Sequence, residues 1–219
     1  MRRGRSPSVG TTVSNGIVSL RVNARFPSLA EAQARLEETE AACRAALGSL
    51  IFGQDDATLQ QVVGRMLKGS SEATTVSTAE SCTGGLLGKM LTDIPGSSAY
   101  FSYGWVTYAN IAKEEMLGVS PELLRLHGAV SEPVVLAMAA GARSRARSTY
   151  ALSISGIAGP DGGTPTKPVG TVCIALAWAG GAEARTFVFP GDREFIRDRS
   201  AKMALTLLRY KLLGERAPF

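Results

Sequence analysis

The 219-residue sequence predicts an α/β protein: a three-layer α/β/α sandwich on a mixed sheet, with a small N-terminal β-α appendage. Three observations support this prediction. From residue 55 onwards, β-branched and apolar runs alternate with amphipathic segments, the order typical of a sheet covered by helices. Two of the runs are joined by Gly180-Gly181, which predicts an antiparallel hairpin within the sheet. The first 54 residues follow a different pattern, with too few elements to bury a core alone.

The appendage contains one predicted strand and one predicted helix. Residues 1–16 are polar and rich in Gly and Ser, and we expect them to be loosely ordered. Alternation of apolar and polar residues over 17–24 predicts a strand. Residues 28–47 predict a long helix, with Ser28 as its N-cap and Glu31 completing a capping box.

The main domain, residues 55–219, contains the remaining predicted elements. Helices are expected at 56–68, 86–92, 112–117, 121–126, 131–147 and 193–213. Strands are expected at 74–79, 100–108, 150–155, 169–178 and 184–189. In sheets of this kind, sites form in loops at the carboxyl ends of strands. Two glycine-rich loops occupy such positions, at 81–85 and 156–163.

The composition argues against several classes of protein and site. Five of the 24 basic residues lie in residues 1–25, which leaves 19 basic and 19 acidic residues in the remainder. We therefore expect no nucleic-acid partner. Three distant cysteines and one histidine predict neither a disulfide framework nor a protein-built metal site, and they indicate a reducing compartment. No apolar run approaches the roughly 20 residues of a membrane span, so we expect a cytoplasmic protein without a membrane partner.

The first glycine-rich loop offers two adjacent nucleophiles, Ser81 and Cys82. Both precede a predicted helix, where the backbone N–H groups of Cys82, Thr83, Gly84 and Gly85 can stabilise an oxyanion or a phosphate. A purely structural interpretation is also open, in which Ser81 or Thr83 caps the helix and the glycines allow a tight turn. A cysteine near a helix N-terminus would be reactive, whereas a packed thiol would not.

An activated serine needs a base, and the sequence offers few candidates. His127, the single histidine, lies beside a glycine, as expected at a turn or a helix end. On a continuous helix, Lys89 would lie about 12 Å along the axis from Ser81, which is too far for direct proton transfer. Lys113 shares a strand-to-helix corner with Tyr108. Desolvation can lower the pKa of a lysine in such a place toward neutrality.

The second glycine-rich loop contains neither a Walker A pattern nor a GxGxxG pattern. Its backbone N–H groups can still contact a phosphate or a sugar. The alternative is a surface loop whose glycines adopt unusual backbone angles.

Eight stretches follow one another in order between residues 55 and 213. They are TAESCTGG (78–85), TDIPGSSAYF (92–101), VTYAN-x-x-K (106–113), LGV (117–119), HGAVSE (127–132), SGIAGPDGG (155–163), KPVGTV (167–172) and GDR (191–193). Together they resemble the C-terminal domain of the CinA (competence/damage-inducible) family, whose members include nicotinamide-nucleotide amidases. Each stretch alone is weak, but so many in order make the resemblance specific.

The resemblance implies hydrolysis of the carboxamide of nicotinamide mononucleotide, giving nicotinate mononucleotide and ammonia in pyridine-nucleotide salvage. This reaction needs no cofactor and no metal. The resemblance also implies a serine nucleophile with tyrosine and lysine partners, and the matching positions are Ser81, Tyr108 and Lys113. Lys113 would take the proton of Ser81, through Tyr108, and deliver it to the leaving ammonia.

We expect the nucleotide substrate to lie between the two glycine-rich loops. The turn at 81–85 would hold the oxyanion, and the second loop with Asn110 and Arg193 would hold the phosphate and ribose. The substrate-binding candidates are Cys82, Thr83, Gly84, Gly85, Asn110, Gly156, Ala158, Gly159, Gly162, Gly163 and Arg193.

Full-length CinA proteins carry two further domains before this one. Residues 8–54 resemble the last part of the middle, connecting domain, so we expect residues 1–54 to be a remnant of that region. The activity of the N-terminal domain, nucleotide-pyrophosphate cleavage, is not transferred to this chain. The family also suggests a homo-oligomer, a dimer or larger.

Two other functions use similar residues. A non-catalytic nucleotide-binding or regulatory domain, linked to competence or DNA damage, would use the same pocket without turnover. Short-chain dehydrogenases also use Ser, Tyr and Lys, but Tyr108 and Lys113 are five residues apart instead of four, and no glycine-rich fingerprint follows the first strand. The sequence therefore disfavours a dehydrogenase.

Overall fold

The computed structural model describes residues 6–70 and 73–219. The chain divides into two compact units, one ending at Gln54 and the other running over Asp55–Phe219. Within the described residues, none of the helices has the length and apolar character needed to cross a membrane.

The first unit begins with a β-hairpin. Strand β1 (Ser8–Ser14) pairs antiparallel with β2 (Ile17–Asn23). Asn15 and Gly16 between them both have positive φ, as a two-residue type I′ turn requires. The prediction of a single strand preceded by loosely ordered residues was therefore wrong over residues 8–14, and residues 1–5 lie outside the described part. Thr and Ser occupy most of β1, so its alternation carries little hydrophobic signal.

Helix α1 (Leu29–Leu47) completes the first unit and is followed by a short 3₁₀ turn, Gly48–Leu50. The hydroxyl of Ser28 accepts the N–H of Glu31, which confirms Ser28 as the N-cap. The reciprocal bond from the Glu31 side chain does not form among the described residues, so only half of the predicted capping box is present.

The second unit is built on a mixed five-stranded sheet. Its strands are β3 (Val76–Glu80), β4 (Phe101–Val106), β5 (Tyr150–Gly156), β6 (Thr171–Trp178) and β7 (Gly181–Val188). Their order across the sheet is β4-β3-β5-β6-β7. Strand β3 is parallel to β4 and β5, whereas β6 is antiparallel to both of its neighbours. Strands β3, β4, β5 and β7 therefore all end at the same edge.

Helices cover both faces of this sheet. They are α2 (Leu59–Lys68), α3 (Leu86–Thr92), α4 (Asn110–Leu117), α5 (Pro121–His127), α6 (Glu132–Ala146) and α7 (Arg193–Leu212), with a 3₁₀ turn at Ser97–Ala99. Helix α6 packs on β3, β5, β6 and β7, with α4 and α5 beside it. Helix α7 packs on β5 and β6, with α2 and α3 beside it. The predicted three-layer sandwich is confirmed.

Strands β5 and β6 are almost entirely buried because helices cover both of their faces. Ala151 and Ala175 belong to the core that α6 closes. Leu152 and Ile174 alternate with them and are fully buried as well. Such alternation of small and large residues gives each face of the sheet its own packed layer.

The predicted element bounds differ most from the structure at the start of α2, which begins at Leu59 instead of 56, and at the last hairpin. Strand β7 begins at Gly181, three residues before the predicted start, because Trp178 pairs directly with Gly181 across a two-residue loop. Helix α3 has the predicted bounds, and α7 ends one residue before the predicted end.

Candidate active site

Four segments converge at the edge where β3, β4, β5 and β7 end. The 81–85 turn follows β3, the corner at 107–109 follows β4, the loop at 157–163 follows β5, and α7 follows β7. Side chains from α4 and α7 hydrogen-bond to all three loops. The carboxyl-end location is the one expected for a site in a sheet of this type.

Ser81 and Lys113 meet in this site. The Nζ atom of Lys113 lies 3.2 Å from Oγ of Ser81, 2.9 Å from the carbonyl oxygen of Thr107 and 3.2 Å from that of Tyr108. The two carbonyls can only accept hydrogen bonds, so they take two N–H bonds of the lysine. In the ammonium form the third N–H donates to Oγ of Ser81; in the neutral amine the lone pair takes this place and can accept the hydroxyl proton. The geometry suits proton transfer from the serine to the lysine.

Burial makes the neutral form of Lys113 accessible. Its side chain is 1% exposed, and no carboxylate forms an ion pair with it among the described residues. Desolvation by this burial lowers the pKa of Lys113 below its ordinary value, because the charged form loses hydration that two carbonyls only partly replace.

Cys82, the other candidate nucleophile, is buried and 5% exposed. Desolvation raises the pKa of its thiol to about 12, an effect that the nearby carboxylate of Glu80 increases. A thiol with such a pKa carries almost no thiolate near neutral pH, and the thiolate is the reactive form. The structure therefore favours Ser81 over Cys82 as the nucleophile.

The turn itself depends on two glycines and a buried carboxylate. Gly84 and Gly85 have φ values of +59° and +92°, in the left-handed region that disfavours other residues. The N–H of Gly84 donates to the carbonyl of Ser81. Glu80, 1% exposed, accepts the N–H groups of Gly85, Leu87 and Gly88 at the start of α3.

This arrangement divides the four N–H groups that the sequence assigned to an oxyanion. Those of Gly84 and Gly85 are engaged within the protein. That of Thr83 meets no acceptor among the described residues, and that of Cys82 meets none except its own side-chain sulfur. These two N–H groups are therefore the candidates for an oxyanion site at this turn.

Arg193 joins two of the other segments. Its guanidinium donates to the carbonyl oxygen of Gly159 at 2.8 Å and to the hydroxyl of Tyr108 at 3.1 Å. The hydroxyl of Tyr108 thus contacts Arg193, while only its backbone carbonyl contacts Lys113. The expected proton path through the Tyr108 hydroxyl is not the arrangement seen, since Lys113 reaches Ser81 directly.

The second glycine-rich loop packs closely on the segment that precedes β6. A Cβ atom at Gly159, where φ is +77°, would lie 2.6 Å from Cγ1 of Val169. Ala158 and Gly159 are buried, Gly156 ends β5, and Gly162 and Gly163 are exposed. Close backbone packing thus accounts for a glycine at 159 without a ligand.

The remaining candidates form no hydrogen bond with the side chain of Ser81 or Lys113 among the described residues. Asn110 is the first residue of α4 and is exposed. His127 ends α5, and its carbonyl accepts Nζ of Lys167, so the helix-end interpretation holds. Lys89 is exposed and pairs with Asp93.

Two residues of the site were not predicted from the sequence. They are Glu80 and Arg197. The guanidinium of Arg197 donates to the carbonyls of Cys82 at 3.1 Å and Thr83 at 2.7 Å. Helical periodicity offered a signal for Arg197, because it follows Arg193 by four residues and so lies on the same face of α7. For Glu80, the signal was an acidic residue just before a helix N-terminus.

A cleft of about 420 Å³ lies between the first residue of α3, which follows the turn, and the start of α7. Ligand clefts commonly measure roughly 300–1,000 Å³. Its lining residues are Leu86, Arg193, Glu194, Arg197 and Asp198. Among the residues the structure describes, no three His, Cys, Asp or Glu side chains are grouped as metal ligands.

Comparison with known families identifies the family to which this fold belongs. The family model of the CinA C-terminal domain matches residues 56–212, and that of the CinA KH domain, described for a damage-inducible protein, matches residues 1–53. The chain belongs to the CinA family. Solved CinA structures agree. A CinA superfamily protein from Klebsiella pneumoniae superposes with a TM-score of 0.69 at 36% identity, over 74% of this chain and 99% of that one.

Two further CinA relatives extend the comparison. The competence/damage inducible protein CihA from Agrobacterium tumefaciens is 39% identical, with a TM-score of 0.67, over 74% of this chain and 99% of that one. A CinA-like protein from Nostoc sp. is 46% identical over 220 residues, which is 95% of this chain and 51% of the relative. The chain thus spans about half the length of the curated relatives it matches.

Proposed function

We propose that this CinA chain is an amidase that hydrolyses the carboxamide of nicotinamide mononucleotide to nicotinate mononucleotide and ammonia. The observation that carries the proposal is the 3.2 Å contact between Oγ of Ser81 and Nζ of Lys113. The buried amine is held by two carbonyls and has its lone pair available for the serine proton. This is the nucleophile-and-base pair that a metal-independent amide hydrolysis requires.

In the first half of the reaction, Ser81 attacks the carboxamide carbon while Lys113 takes the hydroxyl proton. A tetrahedral oxyanion forms, and we assign it to the N–H groups of Cys82 and Thr83, which donate to no other backbone group among the described residues. Lys113 then gives its proton to the nitrogen, the C–N bond breaks, and ammonia leaves. The product of this half is an ester between Ser81 and the nicotinoyl group.

In the second half, water replaces ammonia. Lys113 takes a proton from the water as its oxygen attacks the ester carbon, and the proton returns to Oγ of Ser81 when the ester bond breaks. One carboxamide and one water give one carboxylic acid and one ammonia. No step requires redox chemistry, and Lys113 returns to its neutral state after each half.

The rest of the nucleotide would lie toward α7. The cleft of about 420 Å³ begins beside the turn, and Arg193 places a guanidinium on its wall. We assign the phosphate to the Arg193 side, since guanidinium and phosphate geometries match. Arg193 also contacts Gly159 of the second loop and the hydroxyl of Tyr108, so a bound phosphate would join three segments of the site.

Ammonia release from nicotinamide mononucleotide tests the proposal. We expect turnover by the wild type, and a fall of roughly 10³-fold or more in Ser81→Ala, because removing a nucleophile disables the whole unit. Cys82→Ala is the matched control and should keep at least about a third of the activity, since its thiol is buried with a pKa near 12.

Two results would overturn the proposal. Binding of the nucleotide without ammonia release would indicate a non-catalytic nucleotide-binding domain. Equal losses in Ser81→Ala and Cys82→Ala, with inactivation of the wild type by iodoacetamide, would transfer the nucleophile to Cys82.

A further inference from the structure

We infer that Arg197 is a positioning residue that orients the Thr83 N–H as an oxyanion donor. The inference rests on the proposed function, in which Ser81 attacks a carbonyl carbon. Arg197 is half-buried on α7, and its Nε and Nη2 atoms donate to two consecutive carbonyls of the nucleophile turn, those of Cys82 and Thr83.

The contacts of Arg197 with the two carbonyls determine the directions in which the N–H groups of Thr83 and Gly84 point. In a trans peptide the C=O and N–H bonds point to opposite sides. The Cys82 carbonyl shares a peptide with the Thr83 N–H, and the Thr83 carbonyl shares one with the Gly84 N–H. Because both carbonyls point to Arg197, both N–H groups point away from it.

These two N–H groups differ in their hydrogen bonding. That of Gly84 donates to the carbonyl of Ser81 and closes the turn. That of Thr83 has no acceptor among the described residues, although Thr83 is 0% exposed. A buried N–H without a protein acceptor is rare in folded proteins, so this donor is a candidate to bind an acceptor that comes from outside the chain.

Charge strengthens the same donor. A guanidinium on the carbonyl side of a peptide polarises it and makes its N–H a stronger donor, as in other hydrogen-bonded chains. Glu80 fixes the opposite end of the turn through the N–H groups of Gly85, Leu87 and Gly88. The turn is thus held by a cation at its carbonyls and an anion at its later N–H groups, with the Thr83 N–H between them.

Arg197 differs in this respect from Arg193, its neighbour on the same helix face. Arg193 is exposed and contacts a side-chain hydroxyl and the second loop, as suits a residue that meets substrate. Arg197 also lines the cleft, but its guanidinium donates to two backbone carbonyls of one turn. Loss of Arg197 should therefore affect the chemical step more than substrate binding.

Kinetics of Arg197→Gln and Arg197→Lys test this inference with nicotinamide mononucleotide as substrate. Deleting an oxyanion donor costs about 10²–10³-fold in kcat, so displacing one should cost about 10–100-fold, with KM changed less than about threefold. Lysine can reach one carbonyl but not both, so Arg197→Lys should fall between Arg197→Gln and the wild type. The pH dependence of kcat should not move, because Lys113 is untouched.

Arg199→Gln is the control variant, since Arg199 lies on the same helix but packs over the rings of Phe189 and Phe195. This variant should lose the contacts with the two phenylalanine rings and some stability, but its kcat should be unchanged. Thermal unfolding of all three variants separates loss of fold from loss of rate. If Arg197→Gln does not fold, Arg197→Lys alone decides the question through its kcat and KM.

Labelling of Ser81 by phenylmethylsulfonyl fluoride, followed by intact mass, is a readout independent of the nucleotide. We expect labelling to slow in Arg197→Gln in parallel with kcat, because the sulfonyl oxygen uses the same donor. A raised KM with unchanged kcat and unchanged labelling would make Arg197 a substrate ligand and overturn the inference. If Ser81 is labelled faster in the wild type than in Arg197→Gln but the wild type releases no ammonia, the proposed function is wrong and the inference about Arg197 stands.

Discussion

Replacing Lys113 by Met tests the buried base directly. Methionine has a similar length and no charge, so it removes the amine while filling most of its space. The Lys113 amine makes three contacts, two with carbonyls and one with Ser81. Without a base at 3.2 Å, the serine hydroxyl stays protonated, and a positioned base contributes about 10²–10⁴-fold. We expect kcat for ammonia release to fall by about this factor, with the folded structure retained.

The pH dependence of stability should change in the same variant. Because burial lowers the pKa of Lys113, the unfolded chain binds more protons than the folded one between the folded and the ordinary lysine pKa. Stability of the wild type should therefore rise with pH across that window, relative to Lys113→Met, by at most about 1.4 kcal/mol per pH unit. Below the folded pKa the difference between the two proteins should be constant.

Two measurements decide the outcome. Urea unfolding at a series of pH values gives the stability difference, and initial rates of ammonia release give the pH profile of kcat/KM. The value of kcat/KM should rise with pH as Lys113 loses its proton, and the midpoint of this rise should lie below the ordinary lysine pKa. Lys89→Met is the control, since Lys89 is exposed and pairs with Asp93 on the surface. A midpoint at the ordinary value, or a Lys113→Met variant with at least half of wild-type kcat, would refute the reasoning.

Two further predictions follow from contacts of the second unit. Tyr108→Phe removes the hydroxyl that accepts from Arg193 and keeps the backbone carbonyl that accepts from Lys113. The KM should therefore rise, while kcat should fall by less than about tenfold. A loss of kcat as large as that of Lys113→Met would show that the Tyr108 hydroxyl relays the proton. Gly141→Ala should lower the free energy of unfolding in urea by about 1–3 kcal/mol, because the new Cβ would lie 2.0 Å from the carbonyl oxygen of Leu117. Alanine ordinarily stabilises a helix by about 1 kcal/mol over glycine, so a neutral or stabilising result would contradict the close packing of α6.

Hydrophobic periodicity was sufficient to predict the layers of the second unit. Strand β6 carries apolar residues on both of its faces, and that pattern predicts helices on both sides of the sheet. The polar strand β1 was missed for the converse reason, since Thr and Ser residues give a weak alternating signal. Its pairing with β2 depends on the Asn15-Gly16 turn, which forms because both residues adopt positive φ angles and which leaves no mark on the hydrophobic pattern.

The candidate site was predictable only where side chains follow strand ends. Ser81 and Lys113 come soon after neighbouring parallel strands, so their proximity follows from topology. Glu80 and Arg197 act on backbone N–H and C=O groups, and the directions of those groups depend on φ angles that the sequence only hints at through Gly84 and Gly85. The partner of the Tyr108 hydroxyl depended on a side-chain direction that spacing does not determine.

Position along the chain explains why adjacent serine and cysteine residues have such different chemistry. Successive residues leaving a strand point to opposite sides. Ser81 follows the last residue of β3 and faces Lys113, so Cys82 is directed into the protein, where burial raises the pKa of its thiol to about 12. Its carbonyl is held by Arg197, and its N–H donates to no other backbone group among the described residues. The contribution of Cys82 to the site is therefore through its peptide groups, which is why Cys82→Ala should keep much of the activity.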